Sequence, residues 1–413
     1  MSGIAQGRRV LAERLSRLGN EGVWASAFEA RDAAAAGQKV YPFHLGNVGF
    51  PTPQNIVDAM NKAIRDGHTG YTWPEGIPEL REAIAVDAGR QRNLHYSVEN
   101  VAIQPGGKPV IGKFLLALMD PGDEVLYPNP GFPMYSSLIG YFDGRPVPYT
   151  YRETADGFAI DVEQLERSIT PRTRLLIMNE PHNPSGAESS PEQLQRIAEL
   201  VLEHDLYVLL DEAYLEIRFD GGKGRSLASL PGMQDRCVIL FTFAKRYGMG
   251  GWRLGAAIGP KNIIDVMIVL NTNFESCTNT FTQYAAVEAL TGDQSGSQKI
   301  IEALHERRDV GAAILASTEG VTCYRPDATF YWWPNITGAM KKMGFADYET
   351  FRHTVLRETG VSVATRDMFG NPLPGEDQYY LRFSYSGIDT AQIEEGLTGL
   401  KAFLESDYRE PER

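Results

Sequence analysis

Cysteine is scarce: Cys237, Cys277 and Cys323 are the only three in 413 residues, and no CxxC pair occurs. That excludes a zinc ribbon and a thioredoxin-like redox centre, and an odd, widely spaced set suits a reducing compartment. Long apolar runs are missing as well. No stretch approaches the roughly 18 residues needed to cross a bilayer. The opening segment "MSGIAQGRRVLAERLSRLGNEG" lacks the apolar centre of a secretory signal and reads as a short amphipathic helix. Positive charge is in deficit, with 40 Lys and Arg against 53 Asp and Glu, a formal charge of −13. Nucleic acid and anionic membranes reward a basic face, so neither is an expected partner. No HExxH or GxSxG occurs, "GMGGWRLG" puts Arg253 where a dinucleotide loop needs its third glycine, and "GGKGRS" lacks P-loop spacing. Zinc proteolysis, serine hydrolysis, hydride transfer and P-loop chemistry all lose ground. The expectation is a cytoplasmic protein with no metal site.

What is present is a chain that is 43% apolar and 23% charged, the balance of an ordinary globular protein. From about 54 to 290, helical patterns alternate with short apolar runs. The helices are "NIVDAMNKAIRDG", "IPELREAIAVDAGRQ", "PVIGKFLLALM" and "SPEQLQRIAELVLEH", the last with Ser190 as N-cap and Pro191 in the first turn. The strands are "NVAIQ", "DEVLYP", "RPVPY", "RLLIMN", "LYVLLD", "CVILFT" and "LGAAIG". Runs apolar at consecutive positions suit a sheet covered on both faces. The spacing therefore predicts a large α/β domain over 54–290 with a mainly parallel seven-stranded sheet. A long helix near 296–318, the strands "VTCY", "TFYWWP", "VSVA" and "YYLRFSY", and two further helices predict a smaller α+β domain over 291–413, joined by residues 1–53.

In open α/β sheets, ligands gather beyond the C-terminal ends of the strands. Here those ends carry pointed chemistry. "NVAIQPGGKP" ends in Gly106, Gly107 and Lys108, with Pro109 suited to the first turn of the next helix; bare amides at a helix N-terminus bind anions. "RLLIMNEPHNPSG" ends in a Pro-bounded loop with Asn183, and "LYVLLDEAY" ends in Asp211, followed by Tyr214. "CVILFTFAK" ends in Lys245. Each has a plain structural reading: a tight turn, an Asn in a loop, a buried ion pair, an exposed lysine. The set argues otherwise. A desolvated lysine is a nucleophile, and a carboxylate at a buried strand end needs a cation to meet it. With a phosphate-ready glycine turn and Arg253 nearby, these are the requirements of pyridoxal 5′-phosphate: a Schiff-base lysine, an acidic partner for the ring nitrogen and a phosphate cradle.

Together these motifs resemble those of the fold-type I pyridoxal-phosphate enzymes, in the class I/II aminotransferase family, from "LGNVGFPTP" to "YYLRFSY". The order Gly-Gly-Lys, Asn-Pro-Ser-Gly, Asp-Glu-Ala-Tyr, Lys with Gly-Trp-Arg-Leu-Gly, and a C-terminal Arg carries the resemblance. It implies an aspartate aminotransferase-like fold and a transaminase that passes an amino group between an amino acid and a 2-oxo acid. By resemblance, Lys245 carries the cofactor and shuttles the α-proton, and Asp211 pairs with the pyridine nitrogen. Asn183 and Tyr214 bond the cofactor's phenolic oxygen, and Phe132 stacks on its ring. Thr242, Arg253 and the amides at Gly106, Gly107 and Lys108 hold the phosphate, with glycines 248, 250 and 251 letting Arg253 fold back. Arg382 forks the substrate α-carboxylate, beside Asn183 and Gly46. Tyr71 in "GYTWPEG" crosses to a neighbouring subunit's phosphate, which implies a homodimer with shared active sites.

Some positions depart from the family's usual pattern. "GNVGFPTP" stands where the family often has GEPDFPTP, Ala244 where many relatives have Ser, and Gly250 where Thr is common. The first lies over the substrate and bears on specificity. Lys108 leaves two readings open. In a subgroup acting on aspartate or prephenate it turns toward the substrate's distal carboxylate, which implies acidic substrates; otherwise it only adds positive potential beside the phosphate. The cofactor residues are shared with elimination, replacement, cyclisation and oxidation enzymes of the same fold, so another biosynthetic reaction on an amino acid is the alternative. A cofactor-sensing regulator would carry a DNA-binding domain ahead of the first loop, and the segment before residue 45 is expected to be too short for one.

Overall fold

The consecutive apolar runs form seven strands of one sheet: β1 (Val101–Gln104), β2 (Glu124–Pro128), β3 (Arg145–Tyr149), β4 (Thr173–Asn179), β5 (Tyr207–Asp211), β6 (Cys237–Thr242) and β7 (Gly255–Ile258). Their order is β1-β7-β6-β5-β4-β2-β3. Only β7 runs against its neighbours, and the other pairings are parallel. The structure is a computed structural model that describes residues 11–19 and 21–411.

Alternation along each strand feeds two cores. Leu176, Met178, Val208, Leu210 and Ile239 pack on one face, against helices α2 (Gln54–Arg65), α3 (Pro78–Arg92), α7 (Pro191–Glu203) and α9 (Thr280–Thr291). Leu175, Ile177, Leu209, Val238 and Leu240 pack on the other, against α4 (Lys108–Leu118), α5 (Met134–Tyr141) and α8 (Lys261–Phe274). A strand buried on both faces has no room for polar alternation, which is why these runs read as continuous apolar stretches. Each fully buried aliphatic side chain contributes about 1.5–3 kcal/mol. Helix α7 starts as its sequence requires: Ser190 Oγ accepts from Gln193 N, and Gln193 Oε1 accepts from Ser190 N in return, a capping box with Pro191 in the first turn.

A further core gathers α10 (Ser295–Ala316), α11 (Thr337–Met343), α12 (Tyr348–Thr359) and α13 (Thr390–Glu405) around an antiparallel sheet of β8 (Tyr331–Trp332), β10 (Leu381–Ser384) and β9 (Ala364–Thr365). Tyr41, Phe43 and Val48 pack into it, and Tyr41–Pro42 pairs in parallel with Val361–Ser362.

Local departures from the sequence reading have physical causes. "VTCY" makes a single bridge, Thr322 to Asn335, rather than a strand. Its continuation is drawn to α10, where Arg308 Nη1 donates to Pro326 O at 3.2 Å. "VSVA" divides between two sheets, Val361–Ser362 on one and Ala364–Thr365 on the other. The amphipathic N-terminal helix is not observed: residues 1–10 and 20 lie outside the described residues, and Glu13–Arg17 forms only a 3-10 turn. Helix α1 (Val23–Ala35) begins after Gly22 instead, as poor helix formation at Gly19 and Gly22 favours. Helices α5, α6 (Val162–Arg167), α8, α9 and α11 had no place in the sequence reading; α9 is all but without amphipathic pattern, its buried Thr282, Gln283, Ala285, Ala286 and Ala289 being small or polar.

Candidate active site

Register brings the pointed residues to one edge. Asn179 and Asp211 are paired at the ends of β4 and β5, and Asp211 faces Leu240, two residues before Thr242 on β6. Because β7 is reversed, its first residue, Gly255, lies opposite both Thr242 and Gln104. Arg253 therefore stands at the same edge as Thr242 and the Gly106–Gly107 turn, although its strand runs the other way.

These ends open into a cavity of about 540 Å³ lined by Gly46, Gly107, Lys108, Phe132, Asn183, Asp211, Tyr214, Thr242, Lys245, Arg253 and Arg382. Gly106 lies beneath it: a Cβ there would come 2.5 Å from Arg253 Nη2, and its φ of +102° is one that glycine alone adopts freely. Helix α4 starts at Lys108; Pro109 has no N–H and Val110 N donates to Gly107 O at 3.0 Å, which leaves the amides of Gly107 and Lys108 for the same corner. Of the residues assigned a cofactor or substrate contact, Tyr71 lies outside this cavity and its floor and is 91% exposed; Gly248 also lies away from it, against Phe50 and Pro51. A larger cleft, about 1010 Å³, borders Tyr348, Arg366 and Glu376, but there the Arg366 charge is already met by Glu376 at 2.7 Å.

Lys245 Nζ donates to Gly46 O at 3.1 Å and sits 5.4 Å from the ring centres of Tyr214 and Phe330. Burial draws its pKa down to about 8, with the Arg382 charge acting in the same sense and Asp211 opposing. Asp211 Oδ2 accepts from Tyr135 Oη at 2.6 Å, and Asp211 O accepts from Asn179 Nδ2 at 2.8 Å. Burial raises the Asp211 carboxyl above its ordinary value in spite of the Tyr135 bond, so a cation beside it is what keeps it charged. Arg382 is 4% exposed, and its hydrogen bonds go to neutral oxygens only: Nη1 to Asn183 Oδ1 at 3.1 Å, Nη2 to His44 O at 2.8 Å. Its Nε has no partner. A buried guanidinium resting on neutral acceptors, with one N–H unspent, is built to receive an anion. Tyr214 Oη pairs with Tyr331 Oη at 2.9 Å, and burial holds Tyr214 well above its ordinary pKa, so it stays a neutral hydroxyl.

Three details differ from the sequence reading or were missed by it. Gly251 has open space where a Cβ would stand, and of the glycines 248, 250 and 251 only Gly248 has positive φ. Arg253 itself has positive φ as well, at +56°. The Lys108 ammonium is neither free nor directed at the phosphate corner: it is paired with Glu21, with Phe132 5.4 Å away. Tyr135, Tyr331, Asn179 and Glu21 all line the cavity, and the sequence reading singled out none of them. Asn179 alone could have been found, as the last residue of β4 in register with Asp211.

The family described as "Aminotransferase class I and II" matches residues 38–400. The aspartate/prephenate aminotransferase of Cereibacter sphaeroides is 36% identical over 368 residues, covering 87% of this chain and 92% of that protein. The aspartate aminotransferase of Bacillus subtilis is 32% identical over 397 residues, covering 96% and 99%. Among solved structures, the aspartate aminotransferase of Rhizobium meliloti matches with a TM-score of 0.88 at 31% identity, over 97% of this chain and 99% of that one.

Proposed function

The chain belongs to the class I and II aminotransferase family, and we propose that its cavity holds pyridoxal 5′-phosphate on Lys245 while an amino group passes from an amino acid to a 2-oxo acid. It has the aspartate aminotransferase fold and is a transaminase. The observation that carries the cofactor assignment is the donor set of one cavity: a half-buried amine, a buried carboxylate, and a helix N-terminus with an arginine beside a turn that a Cβ would fill.

That set fits the cofactor. The Gly107 and Lys108 amides at the start of α4, the Thr242 hydroxyl and Arg253 would hold the phosphate. Asp211, fixed by Tyr135 and Asn179, would hold a proton on the ring nitrogen, the contact that offsets its own burial. Phe132 would cover one ring face, and Asn183 and Tyr214 would donate to the phenolic oxygen. When bound, the cofactor supplies a carbonyl that condenses with amines and a ring that accepts the electron pair of the substrate Cα–H bond. Arg382 grips the α-carboxylate and so orients Cα toward Lys245. With its pKa near 8, Lys245 Nζ is neutral in a useful fraction of molecules at physiological pH and can take the Cα proton and later return it. The aromatic walls exclude water from that exchange.

Residues 54–290 are the cofactor-binding domain in this reading, and 1–53 with 291–413 the smaller one. Tyr71 and Trp73, 91% and 71% exposed, stand beside α8, where Asn271 Nδ2 donates to Pro74 O and Phe274 is also exposed. A second copy covering this face would bring Tyr71 to its partner's phosphate, making the active unit a homodimer. Three free cysteines suit a cytoplasmic location.

The test is donor exchange. An amino acid alone should convert the cofactor to its amine form, seen by absorbance, and a 2-oxo acid should restore it. Release of ammonia or of an eliminated side chain, without that reversal, would favour the lyase alternative.

A further inference from the structure

We infer that Glu21 is a specificity-determining residue: it occupies Lys108 as an internal counter-charge and so selects against substrates with a second carboxylate. This rests on the aminotransferase reading of the same cavity. The cavity wall carries four cations, Lys108, Lys245, Arg253 and Arg382, and two carboxylates, Glu21 and Asp211. In that reading three of the cations and Asp211 have tasks on the cofactor or on the α-carboxylate. The remaining pair, Lys108 with Glu21, is neutral in sum and faces the part of the substrate that differs from one amino acid to the next.

Glu21 is placed by packing rather than by chance. Gly19 N donates to Ser137 Oγ at 2.9 Å on one side of it. On the other, Gly22 lies against Met368, where an added Cβ would be 3.0 Å from Cγ. Val23 is buried with Trp333, Ala364 and Phe369, and Trp24 N donates to Glu21 O at 3.2 Å. The Glu21 side chain is 18% exposed against 48% for Lys108. A pair with so exposed a lysine adds little to stability; its consequence is occupancy. The Glu21 charge also bears on Lys245 and Arg382, so it is felt at the centre of the site. A substrate carboxylate arriving here meets a cation already engaged and an anion held in place. To use Lys108 it must displace Glu21, and the like charges then oppose each other. Amino acids with uncharged side chains meet no such conflict and are the favoured donors.

The test uses the holoenzyme and Glu21→Gln. The donor half-reaction, followed spectrally without an acceptor, yields kcat/KM-type constants for L-aspartate and L-alanine, and calorimetry yields dissociation constants for succinate and butanoate. A freed charge-assisted hydrogen bond predicts that the aspartate-to-alanine ratio and the succinate-to-butanoate affinity ratio both rise roughly ten- to a hundredfold. Adding Lys108→Gln should cancel both gains. Ratios within twofold of the parent, or gains that survive the loss of Lys108, would overturn the inference. If no amino donor is converted by any variant, the aminotransferase reading fails instead, and the two binding ratios still decide the role of Glu21.

Discussion

Lys245 shows how one residue's chemistry is set by its surroundings. An ordinary lysine titrates near 10.5, whereas burial brings this one to about 8. In cofactor-free protein, the rate of adduct formation with pyridoxal 5′-phosphate should therefore rise about tenfold per pH unit from 6 to 7 and level off above about 8. A rate still climbing steadily at pH 10 would show an unperturbed amine. Lys245→Ala should abolish turnover and leave no borohydride-reducible adduct, though cofactor can still bind through its phosphate. Tyr135 works through a neighbour. Its hydroxyl holds Asp211 at 2.6 Å, and a hydrogen bond to a charged group contributes about 1.5–3 kcal/mol. Tyr135→Phe should lower kcat roughly ten- to a hundredfold, and spectral titration of the bound cofactor should shift with it; a purely structural tyrosine would leave the titration where it was.

At the scale of elements, strand ends and the loops that cross them decide the geometry. Residues 41–48 run from the smaller core over the cavity, and Gly46 meets the reactive amine through its carbonyl. A Cβ at Gly46 would stand 2.1 Å from Tyr331 Oη, a side chain only 1% exposed and bonded to Tyr214. Neither partner can retreat cheaply from a packed site. Gly46→Ala should reduce kcat/KM at least tenfold, and adding Tyr331→Phe, which deletes the clashing oxygen, should recover part of the loss. A double variant no better than Gly46→Ala would place the fault in the loop's backbone. The same comparison shows how a residue outside any recognisable motif, Tyr331, dictates one that lies inside a motif.

For the whole molecule, stability and assembly are separable. Glu180, after β4, accepts from Ser189 N at 3.1 Å and Ser189 Oγ at 2.5 Å, yet burial lifts its pKa to about 7. Between pH 4.5 and 7 the folded chain keeps a proton that the unfolded chain has lost. Stability from this group is therefore fully present at low pH and falls as pH rises through 7, by about 3 kcal/mol. Glu180→Gln should lose less stability than the parent between pH 5 and pH 8, as read from denaturant midpoints; identical slopes would show that Glu180 is ionised throughout. Assembly is tested by mixing. Tyr71→Phe and Lys245→Ala protomers should redistribute activity if sites are shared, and sedimentation as a monomer only would remove the proposed role of Tyr71.

Much of this was legible because chemistry and pattern coincide in the chain. The inner strands of the sheet are runs largely apolar at consecutive positions because both their faces are buried, whereas the edge strand β3, RPVPY, is exposed at Arg145 and Pro146 and buried only at Tyr149. Asp211 and Lys245 lie at or just beyond strand ends because a doubly covered sheet has its open edge there. The sequence alone thus determined the sheet and the placing of Asp211 and Lys245 at one edge of it; Arg382, far along the chain, was singled out by resemblance. Tertiary structure decided what depends on approach from elsewhere. Tyr135 reaches Asp211 across 76 residues and Glu21 reaches Lys108 across 87; neither pairing leaves a periodicity or a spacing to read. The glycines after Lys245 suggested a backbone folding back through them; of the three only Gly248 has positive φ, and Arg253, two residues before β7, has it as well. Local pattern specifies which faces are buried, and only the packed chain specifies which side chains meet.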